Sequence, residues 1–332
     1  MISTSMRINL PLEKGDWMRR NPMKKALILF GMVLAFTFLV AAKYDNLLET
    51  GDKTAKSSEC NECHKVIYEE WLKDGHARAY SHDSFKKASK NHTDETCLPC
   101  HAAQENGEEK NLKLRPVNRE EGINCATCHL RNHMIYGPYK LTAKHKSDQD
   151  ESLLKSGFCA GCHSPTYQEW QASGSKKTCQ ECHMPRTEGK LVQGFLLSMV
   201  VPKRMMGQHV MIFEGLLKEA ALVAGEAGKG TVSVRVTNKG ADHLIPTGEY
   251  GDYRVVLKTQ VRDGEGKTVL LKEEVFSNLK KSGIPPQKTV TFEYPVSFET
   301  GRRYKVTAGL FYQVEGKAEQ SMATWNAEIE GK

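Results

Sequence analysis

Cys60-Asn61-Glu62-Cys63-His64, Cys97-Leu98-Pro99-Cys100-His101, Cys125-Ala126-Thr127-Cys128-His129, Cys159-Ala160-Gly161-Cys162-His163 and Cys179-Gln180-Glu181-Cys182-His183 are five copies of one pentapeptide, Cys-x-x-Cys-His. Together they consume all ten cysteines of the chain. Two thiols three residues apart reach the two vinyl groups of one porphyrin as thioethers, and the histidine that follows offers the iron a proximal imidazole. The spacing therefore predicts five covalently bound haem c groups. Cys60, Cys63, Cys97, Cys100, Cys125, Cys128, Cys159, Cys162, Cys179 and Cys182 are the expected attachment points. His64, His101, His129, His163 and His183 are the expected proximal ligands. Structural zinc also uses Cys-x-x-Cys, but needs two pairs or a pair with distant histidines, and requires no histidine directly after each. A thioredoxin-like pair occurs once, beside a βαβ pattern. Neither accounts for five copies.

The 332 residues permit two domains, yet only 39% are apolar and the mean hydropathy is −0.52. That is poor in core-forming side chains, and five porphyrin faces would make up the difference in the cysteine-bearing half. The formal charge is +7, but six Lys/Arg and two Asp/Glu fall in residues 1–42, which leaves +3 for the rest. Five haems bring on the order of ten propionate charges, so the basic excess is read as propionate pairing. No basic-aromatic module accompanies it, and a nucleic-acid partner is excluded on that ground.

In chain order, residues 1–42 read as a signal peptide or membrane anchor. Arg19, Arg20, Lys24 and Lys25 precede an unbroken apolar run from Ala26 to Ala42, short for a membrane span and slightly long for a signal core. Small residues Val40 and Ala42 suit cleavage after Ala42, and an uncleaved anchor with its basic side in the cytoplasm is the alternative. Either way the remainder is exported, to the periplasm, the cell surface or the outward face of the cytoplasmic membrane. Residues 43–58 read as a linker and 59–190 as the haem domain, with sparse, mainly helical structure. There, Val66 to Lys87 is expected to be helical with a weak point at Gly75, and Asn106 to Asn118 to be a loop. Residues 191–228 read as a connector with a helix from Met211 through Ala224. From about Thr231 the pattern becomes alternating, with Val232, Val234 and Val236 on one face. Further β-rich runs separated by turn signals predict an antiparallel β-sandwich over 229–332.

Seven histidines lie outside the motifs: His76, His82, His92, His133, His145, His209 and His243. Five irons need five distal ligands, so coordination by two histidines throughout is affordable. His76 is twelve residues past His64, about 18 Å along a continuous helix, too far to grip the same iron. His133 is four residues past His129 and, if helical, lies on the same side of the ring. Each distal histidine is thus expected to serve another motif's haem. Met134, Met184 or Met211 in place of a histidine would raise that haem's potential.

Around the first motif, Tyr68, Trp71, Gly75-His76-Ala77 and Ala79 follow Cys60 to His64, and the chain here resembles the cytochrome c-554/c-prime family. Glu169-Trp170, Ser173 and the run into Met184-Pro185 are similar to the last haem site of related multihaem cytochromes. Asn238, Gly240, His243 and Pro246-Thr247-Gly248 are similar to a motif in the β module of such proteins. The resemblance spans most of residues 58–250; Gly75 stands where the family usually has Ser. It implies His76 and His243 as distal ligands, with His209 a third, and His133 and His145 complete the expected five. The expected function is electron transfer between redox partner proteins, more a carrier than a catalyst. One alternative is an oxidoreductase with an open iron acting on nitrite, hydroxylamine or a sulfur oxyanion. Another is a haem-bearing subunit of a larger complex or filament, with oligomerisation through the β module.

Overall fold

In a computed structural model, residues 23, 26–37, 56–106, 112–140, 145–193 and 201–332 are described. Residues 26–37 are helical with exposed apolar side chains, Leu27, Phe30 and Phe36 among them. Among the described residues no helix is long and apolar enough to cross a membrane. The expected cleavage after Ala42, and nearly all of the 43–58 linker, lie outside the described residues.

The haem-motif region is built from short pieces. These are α1 (Ser57–Asn61), α2 (Lys65–Lys73), α3 (Asp83–Ala88), α4 (Leu98–His101), α5 (Cys125–His129), α6 (Ser164–Ser173) and α7 (Cys179–His183). Four motifs thus start in, or lie within, about one helical turn, and the fourth follows a tight 3-10 turn, Ser156–Cys159. One turn puts residues i and i+3 on the same face, which is what two thiols meeting one porphyrin require. Side-chain caps hold two of these turns: Asn124 accepts from Thr127 N at 3.0 Å, and Thr178 and Glu181 form a reciprocal capping box.

The helix expected from Val66 to Lys87 is interrupted. It ends at Lys73 because Asp74 is extended (φ −78, ψ 161) and its Oδ1 accepts from the backbone of His76 at 2.9 Å. This local side-chain turn outcompetes the helix ladder. A 3-10 turn, His76–Arg78, and then α3 carry the chain on.

Two strands, β1 (Leu130–Arg131) and β2 (Met134–Gly137), form a hairpin that β3 (Ser147–Gln149) joins in parallel. Then β4 (Arg186–Lys190) pairs antiparallel with β5 (Lys203–Gly207).

The connector differs from expectation at its end. Its helix, α8, covers only Glu214–Ala220, and β6 (Ala221–Gly228) follows directly, so the sheet region starts ahead of residue 229. Ala221 and Val223 are buried while Leu222 is exposed, a period of two that a strand satisfies and a helix cannot. Gly225 is required there, since a Cβ would stand 2.7 Å from the Trp325 ring.

The remaining strands are β7 (Thr231–Asn238), β8 (Tyr253–Asp263), β9 (Thr268–Ser277), β10 (Thr289–Pro295), β11 (Arg303–Val314) and β12 (Gln320–Glu330). They form two antiparallel sheets, ordered β10-β7-β6 and β12-β11-β8-β9. Val232, Val234 and Val236 of the first and Leu257, Val261, Val306 and Leu310 of the second are fully buried in one apolar cluster. Leu257→Ala is expected to cost about 3 kcal/mol, seen as a lower denaturation midpoint with an unchanged haem spectrum. Buried apolar residues of the motif region, such as Trp71, Phe85, Leu98 and Phe158, do not join this cluster.

Candidate haem-binding sites

An imidazole nitrogen sits about 2 Å from a metal that it ligates, and about 1 Å from its own ring centre, so two imidazoles sharing one iron have centroids about 6 Å apart. Four pairs in the structure have this spacing. His64 faces His145 at 6.4 Å, His163 faces His76 at 6.0 Å, His129 faces His209 at 6.2 Å and His183 faces His243 at 6.1 Å. Each pair joins a motif histidine to one of the expected distal histidines from another segment.

The ring nitrogens are oriented for this task. Nδ1 donates to a backbone carbonyl in His64 (Leu191, 2.8 Å), His101 (Ala79, 2.6 Å), His129 (Tyr136, 2.7 Å) and His183 (Met211, 2.8 Å). The same holds for His209 (Gly207, 3.0 Å) and His243 (Leu244, 2.8 Å). A proton fixed on Nδ1 leaves Nε2 with its lone pair, the form that a metal takes. Burial also drives the imidazoles of His163 and His209 down to about 4, and those of His129, His145 and His183 below their usual range. They are neutral at neutral pH, as ligands must be. The residues present therefore fit haem iron.

Residues 59–130 match the family described as cytochrome c554 and c-prime. In fold the chain is similar to a penta-heme cytochrome c552 from Thermochromatium tepidum, with a TM-score of 0.61 at 18% identity, over 84% of this chain and 100% of that one. The fold is that of a multihaem c-type cytochrome, and the family match holds over residues 59–130.

About a third of the chain also aligns with a glycosyl hydrolase family 2 member from Bacteroides cellulosilyticus (17% identity, 34% of this chain, 14% of that chain, TM-score 0.20). A Bacteroides uniformis beta-glucuronidase aligns similarly (13% identity, 33% of this chain, 13% of that chain, TM-score 0.20). Scores this low carry no argument. No curated protein matches the chain.

His133 is the expected distal ligand that the structure brings to no motif histidine. With Asn132 it forms the two-residue turn between β1 and β2, both in the left-handed region (φ 47 and 60), and it is exposed. The chain reverses here rather than continuing the helix of the third motif, so the side chain is carried outward.

His101 consequently faces no histidine at the 6 Å spacing among the described residues. Its ring is stacked instead on Phe85 of α3, with centroids 3.6 Å apart and planes 6° off parallel. His82 caps α3, its Nδ1 accepting from Ser84 N at 3.3 Å. His92 stacks on Tyr80 at 4.0 Å and spends its Nε2 on the Tyr80 carbonyl at 2.9 Å. It sits at the end of three successive left-handed residues, Lys90, Asn91 and His92.

The motifs adjoin one another through their thiols. Cys60 lies beside Cys125, Cys100 beside Cys162, and Cys159 beside Cys179. Cys128 is near enough to Cys159 and Cys162 for its charge to push both thiols up. The fourth motif therefore has the second, third and fifth as neighbours, and the first connects through the third.

Sequence reading missed the carboxylates that aim the distal histidines. Glu70 of α2 accepts from the backbone N–H of His209 at 2.9 Å. Glu169 of α6 accepts from Leu244 N at 3.1 Å and the Thr247 hydroxyl at 2.6 Å, beside His243. Both glutamates stand six residues after a motif histidine, within Tyr68-Glu69-Glu70-Trp71 and Tyr167-Gln168-Glu169-Trp170. This repeat was the available signal. Further bonds, Thr166 to Thr247 at 3.0 Å and Ser175 to Asp242 at 2.6 Å, tie the motif region to the loop between β7 and β8.

Proposed function

We propose that this cytochrome carries five haem c groups and transfers electrons between redox partner proteins outside the cytoplasm. The observation that carries the reading is the set of four cross-motif imidazole pairs at 6.0–6.4 Å. Iron held on both faces has no position for a substrate, and motifs in mutual contact suit electron hopping. Bound there, haem supplies a one-electron Fe(III)/Fe(II) couple at each site. The chain's own part is to attach the porphyrins through the ten cysteines and to hold neutral imidazoles, Nδ1 protonated, on the irons. The distal set is His76, His145, His209 and His243. The two sheets are read as a β-sandwich that clamps the fifth site through His243, and the 26–42 segment as the route to export or to membrane association.

A second reading has support in one place. The site of His101, with no opposing histidine among the described residues, is where an open iron would take a small nitrogen or sulfur species. Electron paramagnetic resonance of the ferric protein, with haem quantified, tests both readings. Five haems with four low-spin signals and one high-spin signal are expected. Fewer than four low-spin signals would sink the pairing. A small-ligand site is ruled in or out by whether nitrite or hydroxylamine alters the high-spin signal.

A further inference from the structure

Among the described residues, His76 alone of the paired histidines has a carboxylate on its Nδ1. Asp74 Oδ1 stands 2.9 Å from that nitrogen and also accepts the backbone N–H of His76 at 2.9 Å. The other oxygen accepts from Met211 N at 2.8 Å. Met211 in turn offers its carbonyl to Nδ1 of His183 at 2.8 Å. The carboxyl is only 6% exposed, so its field is little screened by water. Among the described residues no lysine or arginine forms an ion pair with it: Arg78 donates to the Lys73 carbonyl, and Lys317 feels the Asp74 charge only at longer range.

We propose that Asp74 lowers the reduction potential of the iron held between His76 and His163, making the central motif the last to accept an electron. An anion that draws the Nδ1 proton makes the imidazole a stronger donor. A buried negative charge also favours the oxidised iron, whose site carries one more positive charge than the reduced one. At the other sites, Nδ1 of His64, His129, His183, His209 and His243 meets neutral carbonyls. The difference falls on the motif that adjoins the second, third and fifth. Electrons then rest on the peripheral sites and cross the centre only in transit. Asp74 is a positioning residue, since it acts through His76 and touches no iron.

The inference rests on the pairing of His76 with His163 proposed above, and the test separates the two. Asp74→Asn and Asp74→Glu are made in the full haem-loaded protein, and each haem's potential is followed by spectroelectrochemical titration with paramagnetic resonance of the same samples. Asp74→Asn is expected to keep every low-spin signal while shifting one haem about tenfold toward the reduced form at fixed applied potential, about 59 mV for one electron. Asp74→Glu, which keeps the charge and serves if the Asn variant does not fold, should stay near the parent protein. Unchanged potentials in Asp74→Asn, or an equal rise in Asp74→Glu, would overturn the role of the charge. A parent protein lacking the His76–His163 low-spin signal, identified by its loss in His76→Ala, would overturn the pairing itself.

Discussion

Replacing His243 with alanine is expected to convert one iron of the haem-loaded protein from low-spin to high-spin while three other low-spin signals persist. His243 faces His183 at 6.1 Å with the rings 20° from parallel, so its imidazole is the sixth ligand the fifth motif would lose. The loop that delivers it does not depend on that side chain. Asn238 Nδ2 donates to the carbonyls of His243 and Ile284, both at 2.9 Å, and Glu169 holds Leu244 and Thr247. An alanine there should leave the backbone in place and an open position behind. Added imidazole or cyanide should then restore a low-spin spectrum. The other pairs use rings from different segments, which is why their signals should not move. Survival of all four low-spin signals would refute the pairing of His183 with His243.

Arg115→Met is expected to destabilise the motif region by about 3–5 kcal/mol, a large share of a typical domain's stability. Arg115 is fully buried and has no ion pair among the described residues. Its Nε donates to Val117 O at 3.1 Å, and Nη1 to Ala103 O at 3.2 Å and Thr127 Oγ1 at 3.0 Å. Nη2 donates to Asn118 O at 2.7 Å and Gly122 O at 2.8 Å. Every N–H of the guanidinium is used, and the segment 117–122 is drawn onto the residues that flank the second and third motifs. A methionine removes the donors and strands buried acceptors, each costing about 1–3 kcal/mol before relaxation. Arg115→Lys keeps a charge but only three donors in a different geometry, and should recover only part of the loss. Denaturant titration followed by haem absorbance measures both. A loss under about 1 kcal/mol for methionine would show that the guanidinium is not what holds this segment.

The attachment chemistry was legible because it is local. Two cysteines and a histidine within five residues must meet one porphyrin wherever the chain goes, and no fold is needed to see it. The strands were legible for a similar reason, since Val232, Val234 and Val236 alternate with polar neighbours and occupy the buried face of β7. The first half of β6, Ala221 to Ala224, falls within the expected helix because Ala and Leu favour helices in isolation; pairing with β7 outweighs that preference. The place of His133 depends on a turn rather than on a pairing. Asn132 and His133 turn the chain back in two residues, a reversal that carries the His133 ring away from the motif histidines.

By itself, then, the amino-acid sequence determined how many porphyrin attachment motifs there are, which residues form them, and that a β-rich region follows. These depend on contacts within a few residues, or on a period that one strand carries alone. Only the tertiary structure decided which histidine faces which. The two rings of each pair are brought together over long loops whose closure depends on bonds such as Glu70 to His209, Glu169 to Leu244 and Asp74 to Met211. Spacing along the chain carries no information about that closure, because a long loop costs little more entropy to close at one partner than at another.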